Sequence, residues 1–120
     1  MFHKFKNQEE RKNFGGTAFV EFAYCKNKSK LKILNRLLKR KNIFWNDDSL
    51  YIYVDDVDEF YNLYDDTFKV NNFYGSNYYS KEKTIEIINS LKQKQPKDYL
   101  VLVEWLESAL MYDGFWIYGI

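Results

Sequence analysis

The chain's single proline, Pro96, separates two amphipathic helical runs, and that pair limits the possible folds more than any other feature of the sequence. Before it, Ser80 can cap a helix in which Ile85, Ile88 and Leu91 recur at helical spacing until Gln95-Pro96 stops it. After it, a second helix begins between Pro96 and Asp98, with Tyr99, Leu102, Val103, Leu106, Ala109 and Leu110 as its apolar stripe and Glu104 and Glu107 outside. Asp113-Gly114 then turns the chain into 115–120, which reads as a buried terminal strand, paired internally because an exposed apolar edge invites aggregation. Two apolar helix faces beside a strand that must be paired call for helices packed on a sheet.

The rest of the chain reads the same way. Residues 17–24 alternate as a strand, with Ala18, Val20, Phe22 and Tyr24 on one face and Phe19, Glu21 and Ala23 on the other. Residues 1–16 are predicted to form a loosely held arm or a short helix, closed by Gly15-Gly16. Ile43-Phe44-Trp45 and residues 50–54 flank Asn46-Asp47-Asp48-Ser49 and are predicted to pair as a β-hairpin with an acidic tip. Asp56 and Glu59 have the spacing of a capping box ahead of a short acidic helix over 57–66, and 67–74 is a candidate further strand. The expectation is one α+β domain spanning residues 1–120, a mixed and largely antiparallel sheet with helices packed against it. Aromatic residues make up 20% of the 120, so rings should fill much of the core.

Net charge is +1, but its distribution is uneven. Residues 26–41 hold Lys26, Lys28, Lys30, Lys32, Arg36, Lys39, Arg40 and Lys41 without an acid; Ser29 can cap a basic amphipathic helix there, with Leu31, Leu34, Leu37 and Leu38 as its apolar stripe. Residues 47–66 hold Asp47, Asp48, Asp55, Asp56, Asp58, Glu59, Asp65 and Asp66 without a base, interleaved with Tyr51, Tyr53, Tyr61 and Tyr64. Such polarity is usable in partner recognition, and tyrosine supplies contact area together with a hydroxyl.

Few residues suggest covalent chemistry. The five glycines are dispersed and none precedes a Lys-Ser or Lys-Thr in a phosphate-binding loop. One cysteine, Cys25, and one histidine, His3, offer neither a disulfide framework nor an ordinary zinc site. Asp55, Asp56, Asp58 and Glu59 could hold Mg²⁺, although acids at a helix start more simply satisfy free N–H groups and the helix dipole. No catalytic residue and no cofactor are expected. The charged N-terminal residues lack a signal-peptide apolar region, and no apolar run approaches the roughly 20 residues that cross a bilayer, so a cytoplasmic protein is expected.

The last third of the chain, through Asn77-Tyr78-Tyr79-Ser80, Asp98-Tyr99, Trp105-Leu106 and Gly114-Phe115-Trp116-Ile117-Tyr118-Gly119-Ile120, resembles the ends of small bacterial proteins, some of which look like toxin-neutralising immunity proteins. That resemblance implies a compact bacterial or phage protein that binds one partner. The expected function is therefore that of a stoichiometric protein-binding inhibitor. Its predicted face is Asp47, Asp48, Tyr51, Asp55, Asp56, Asp58, Glu59, Tyr61, Asp65 and Asp66, and its partner a basic protein such as a nuclease toxin. The alternative is a nucleic-acid-associated module binding phosphates through 28–41, and the two charged segments also allow head-to-tail self-association.

Overall fold

The computed structural model describes residues 1–26, 44–70 and 75–119. Within them the elements are β1 (Phe2–His3), α1 (Gln8–Gly15), β2 (Phe19–Tyr24), β3 (Leu50–Tyr53), a 3-10 turn (Val54–Asp56), α2 (Val57–Phe68), β4 (Ser76–Tyr79), α3 (Lys81–Lys94), α4 (Tyr99–Ala109) and β5 (Phe115–Tyr118). The strands form one antiparallel sheet in the order β1-β3-β2-β5-β4, so the α+β expectation holds. The basic helix predicted for 28–41, with its Ser29 cap, lies outside the described residues.

The helix pair forms for the local reasons its sequence contains. The Ser80 hydroxyl accepts the Lys83 N–H at 3.1 Å. At the far end Gln95 turns left-handed (φ 49°), donating its N–H to the Leu91 carbonyl, and Pro96 follows. Ile87, Ile88 and Leu91 of α3 and Leu102, Val103, Leu106 and Ala109 of α4 are buried, whereas Ile85, expected in the stripe, lies at the solvent edge. They pack with Phe60, Tyr64 and Phe68 of α2 on one face of the sheet, against Val20, Phe22, Leu50, Ile52, Phe115 and Ile117. The reverse face carries Ala23, Cys25, Trp116 and Tyr118 in one cluster and Phe5, Phe19 and Tyr51 in another. As expected of a strand with apolar residues on both sides, β5 lies inside the sheet, between β2 and β4. No helix among the described residues is long and apolar enough to cross a membrane.

Several local expectations gave way to longer-range pairing. The predicted hairpin is replaced, because β3 already has β1 on one side (Phe2 opposite Ile52) and β2 on the other (Val20 opposite Ile52). Of the predicted first arm, Ile43 lies outside the described residues, residues 44 and 45 are bends, and Trp45 is left-handed at φ 63°. The further strand is Ser76–Tyr79 rather than 67–74: Thr67 and Phe68 still belong to α2, Lys69 turns left-handed after them, and 71–74 lie outside the described residues. Within residues 1–16 the helical alternative holds for Gln8–Gly15, with Arg11 buried, whereas Phe2–His3 pair with β3 as an edge strand that the sequence did not suggest, and Phe5 is buried between them. The capping box does not form. The 3-10 turn leads straight into α2, leaving Asp56 near-helical and its side chain without a capping bond.

Candidate functional site

The acids of 47–66 divide into two groups separated by the length of β3, roughly 13 Å at a strand's rise per residue. Asp47 and Asp48 sit in the turn before the strand and are engaged within the molecule. Gln8 Nε2 donates to Asp47 Oδ1 at 2.9 Å. Lys26 Nζ lies 2.6 Å from Asp48 Oδ2, and the Trp105 indole N–H donates to the Asp48 carbonyl. Asp55, Asp56, Asp58, Glu59, Asp65 and Asp66 follow the strand, along the 3-10 turn and α2.

In α2 the buried positions are Phe60, Tyr64, Thr67 and Phe68, so Asp58, Glu59, Asn62, Leu63, Asp65 and Asp66 face outward. Six acids and no base occupy residues 54–68. Asp58 and Glu59 are in the first turn, where the positive end of the helix dipole favours them. Asp65 and Asp66 are near the other end, where the dipole is negative and the last turn has no base to compensate. Folding of the helix therefore accounts for the first pair and not for the second. Lys69 and Lys83 line a recess with Asp66, and among the described residues an ion pair reaches the group from Lys97, whose Nζ, at the α3–α4 corner, lies 3.0 Å from Glu59 Oε1. That hydrogen bond and the Glu59 charge hold the Lys97 ammonium above its ordinary pKa.

Of the tyrosines predicted for this face, Tyr51 does not join it. Tyr51 is fully buried, so it is withdrawn from the binding face. Its hydroxyl donates to the Asn46 carbonyl at 2.7 Å and receives Gln8 Nε2 at 3.4 Å, and burial followed by the neighbouring Glu21 charge raises its pKa. Tyr64 is equally buried and donates to the Lys97 carbonyl. Tyr61 is half-buried with its ring edge-on to Phe60, and Tyr53 packs against Phe14 and Phe19. Alternation along β3 explains Tyr51: the sheet's reverse face is itself covered, so both sets of side chains go inside.

Two features escaped the sequence reading. The first is Glu21, 2% exposed, whose carboxylate closes the 44–49 turn. Oε1 accepts the Trp45 N–H at 2.8 Å; Oε2 accepts the Asn46 N–H at 2.9 Å and the Ser49 hydroxyl at 2.6 Å. Successive backbone N–H groups converging on a carboxylate form an anion nest, and they hold Trp45 in its left-handed conformation. Buried Arg11 lies over the Trp45 ring, 4.0 Å from its centroid, and donates to Gln8 Oε1 at 2.7 Å.

The second is a groove of about 430 Å³ at the α3–α4 corner, lined by Gln95, Pro96, Asp98, Tyr99, Leu100 and Val101. Leu100 is 67% exposed and Val101 40%. The run Tyr99-Leu100-Val101-Leu102-Val103 carries the signal, since five successive apolar residues cannot all face one side of a helix. Among the described residues no three His, Cys, Asp or Glu side chains converge as metal ligands. The surface combines concentrated negative charge with an adjoining apolar recess. Comparison of the chain with protein families, with curated proteins and with solved structures found no match.

Proposed function

We propose that this protein is a stoichiometric inhibitor that binds a basic protein through the outward face of α2, as an immunity protein covers the cationic cleft of a nuclease toxin. The observation that carries the reading is the pair Asp65 and Asp66, exposed at the helix end where the dipole opposes them. An acid kept where it weakens its own helix fits a role outside the helix. Asp55, Asp58 and Glu59 extend the same charge toward the α3–α4 corner. A surface of this kind accelerates association with a cationic partner and discriminates against acidic ones, while neighbouring apolar contacts slow dissociation.

The test compares the wild-type chain with the variant Asp58→Asn/Asp65→Asn/Asp66→Asn as bait in lysate of the source cell, at low and at moderate salt, with nuclease treatment before mass spectrometry. The expected result is one stoichiometric basic protein that survives nuclease on the wild-type bait and is lost from the variant. Recovery of nucleic acid alone, retained equally by both baits, would move the function to the basic segment 28–41.

A further inference from the structure

The groove at the α3–α4 corner and the acidic start of α2 are physically continuous. Lys97 lies between the groove residues Pro96 and Asp98, and its ammonium is the group held by Glu59. The Tyr64 hydroxyl, from the middle of α2, donates to the Lys97 carbonyl, so helix and corner are fixed to one another from the core as well as across the surface. Asp56 and Asp98 also act electrostatically on Lys97, and the Met1 ammonium lies 3.6 Å from Asp98 Oδ2, so three acids face two cations at this corner. Both partners of the ion pair are accessible, with side chains 65% and 45% exposed.

Resting on the binding function proposed above, we infer that this groove is the apolar socket of the interface. It takes a leucine-like side chain from a basic segment of the partner, while an arginine or lysine beside that side chain displaces Lys97 from Glu59. The occupant follows from charge complementarity and shape together. The recess offers Pro96, Tyr99, Leu100 and Val101 to an apolar side chain, and Asp56 and Glu59 beside it select for cationic neighbours, Asp98 being held by the Met1 ammonium. Interfaces commonly have this arrangement of an apolar centre and a charged rim. Lys97 is then an intramolecular stand-in for the partner's cation. It satisfies Glu59 in the free protein, and its removal should favour binding.

The probes are two short labelled peptides, one alternating arginine with leucine and one alternating arginine with glycine, titrated by fluorescence anisotropy at low and moderate salt. The arginine–leucine peptide should bind more tightly than its companion. Leu100→Ser and Val101→Ser, both at exposed positions that leave the core intact, should each weaken it by about tenfold, the effect of losing one well-buried apolar contact. Lys97→Gln should tighten both peptides by about threefold at low salt, with the gain fading as salt rises. Thermal melts of the three variants should match the wild type, which assigns the changes to the surface. If the two peptides bind equally and the serine variants have no effect, the socket is overturned while the acidic interface stands. If neither peptide binds at low salt, the acidic interface and the socket fall together.

Discussion

Replacing Glu21 by glutamine changes one atom of a side chain that is 2% exposed, and the hydrogen-bond pattern gives the consequence. The carboxylate faces donors on both oxygens: the Trp45 N–H at Oε1, and the Asn46 N–H and Ser49 hydroxyl at Oε2. If the glutamine oxygen takes the Oε2 position, its amide NH₂ confronts the Trp45 N–H, donor against donor. If it takes Oε1, the NH₂ confronts the Asn46 N–H instead. Every orientation leaves at least one backbone donor without an acceptor, at a cost of about 1–3 kcal/mol. The remaining bonds lose their charge assistance, which is worth about 1 kcal/mol more across the pair. Trp45 is half-buried and can swing its N–H toward water, so the expected loss is about 3 kcal/mol rather than the full sum. Urea unfolding should show it as a midpoint lowered by about 2 M with an unchanged slope. Loss of the Arg11–Trp45 stacking should change tryptophan fluorescence before global unfolding. The exposed Glu86→Gln change serves as control and should stay within about 0.5 kcal/mol. A Glu21→Gln protein as stable as that control would refute the clamp.

Asp65→Asn and Asp66→Asn should each raise stability by about 0.3–1 kcal/mol at low ionic strength, and the gain should vanish in high salt, as seen by thermal melts. Gly16→Ala and Gly114→Ala should separate backbone strain from collision. Both glycines have positive φ, but a Cβ at Gly16 meets nothing, whereas one at Gly114 strikes the Tyr79 carbonyl oxygen and the Ser80 backbone. The first should cost about 1 kcal/mol in chemical denaturation, and the second should prevent recovery of folded protein. Tyr79→Phe should be neutral or should stabilise by about 1 kcal/mol, because the Tyr79 hydroxyl is buried without a hydrogen-bond partner among the described residues. Burial pushes Tyr24 and Tyr78 up to about 12, so folding favours their neutral forms. That contribution is complete below the unfolded value of about 10 and is lost as pH rises through about 12. Ultraviolet titration should accordingly show delayed tyrosinate formation, ending in cooperative alkaline unfolding.

The helix pair was legible because its determinants are local. Ser80 caps through a residue three positions away, Pro96 lacks the N–H that the next turn would need, and the stripes of α3 and α4 follow helical spacing. The strand character of 19–24 came from short-range alternation, and that of 115–118 from a continuous apolar run after the Asp113-Gly114 turn. The acids on α2 lie outward because the helix buries Phe60, Tyr64 and Phe68, a division its own periodicity contains.

What depended on distant partners was not legible. Local turn residues suggested a hairpin over 43–54, yet Leu50–Tyr53 pairs with strands about thirty and fifty positions earlier, because those partners bury Leu50 and Ile52 from both sides. Ser76-Asn77 has the composition of a turn and becomes strand because β5 supplies the ladder. Tyr51 interleaves with acids in sequence and ends inside, while Leu100, one of five successive apolar residues, ends outside. Glu21 looks like an ordinary strand carboxylate until the chain returns with the backbone N–H groups of Trp45 and Asn46. By itself the sequence determined the helix pair around Pro96, the strands at 19–24 and 115–118 and where charge concentrates, since caps, breakers and short-range patterning act over a few residues. The tertiary structure alone decided strand order, the burial of Tyr51 and Glu21, and the meeting of the acidic helix with the groove, since these depend on surfaces created when distant segments pack.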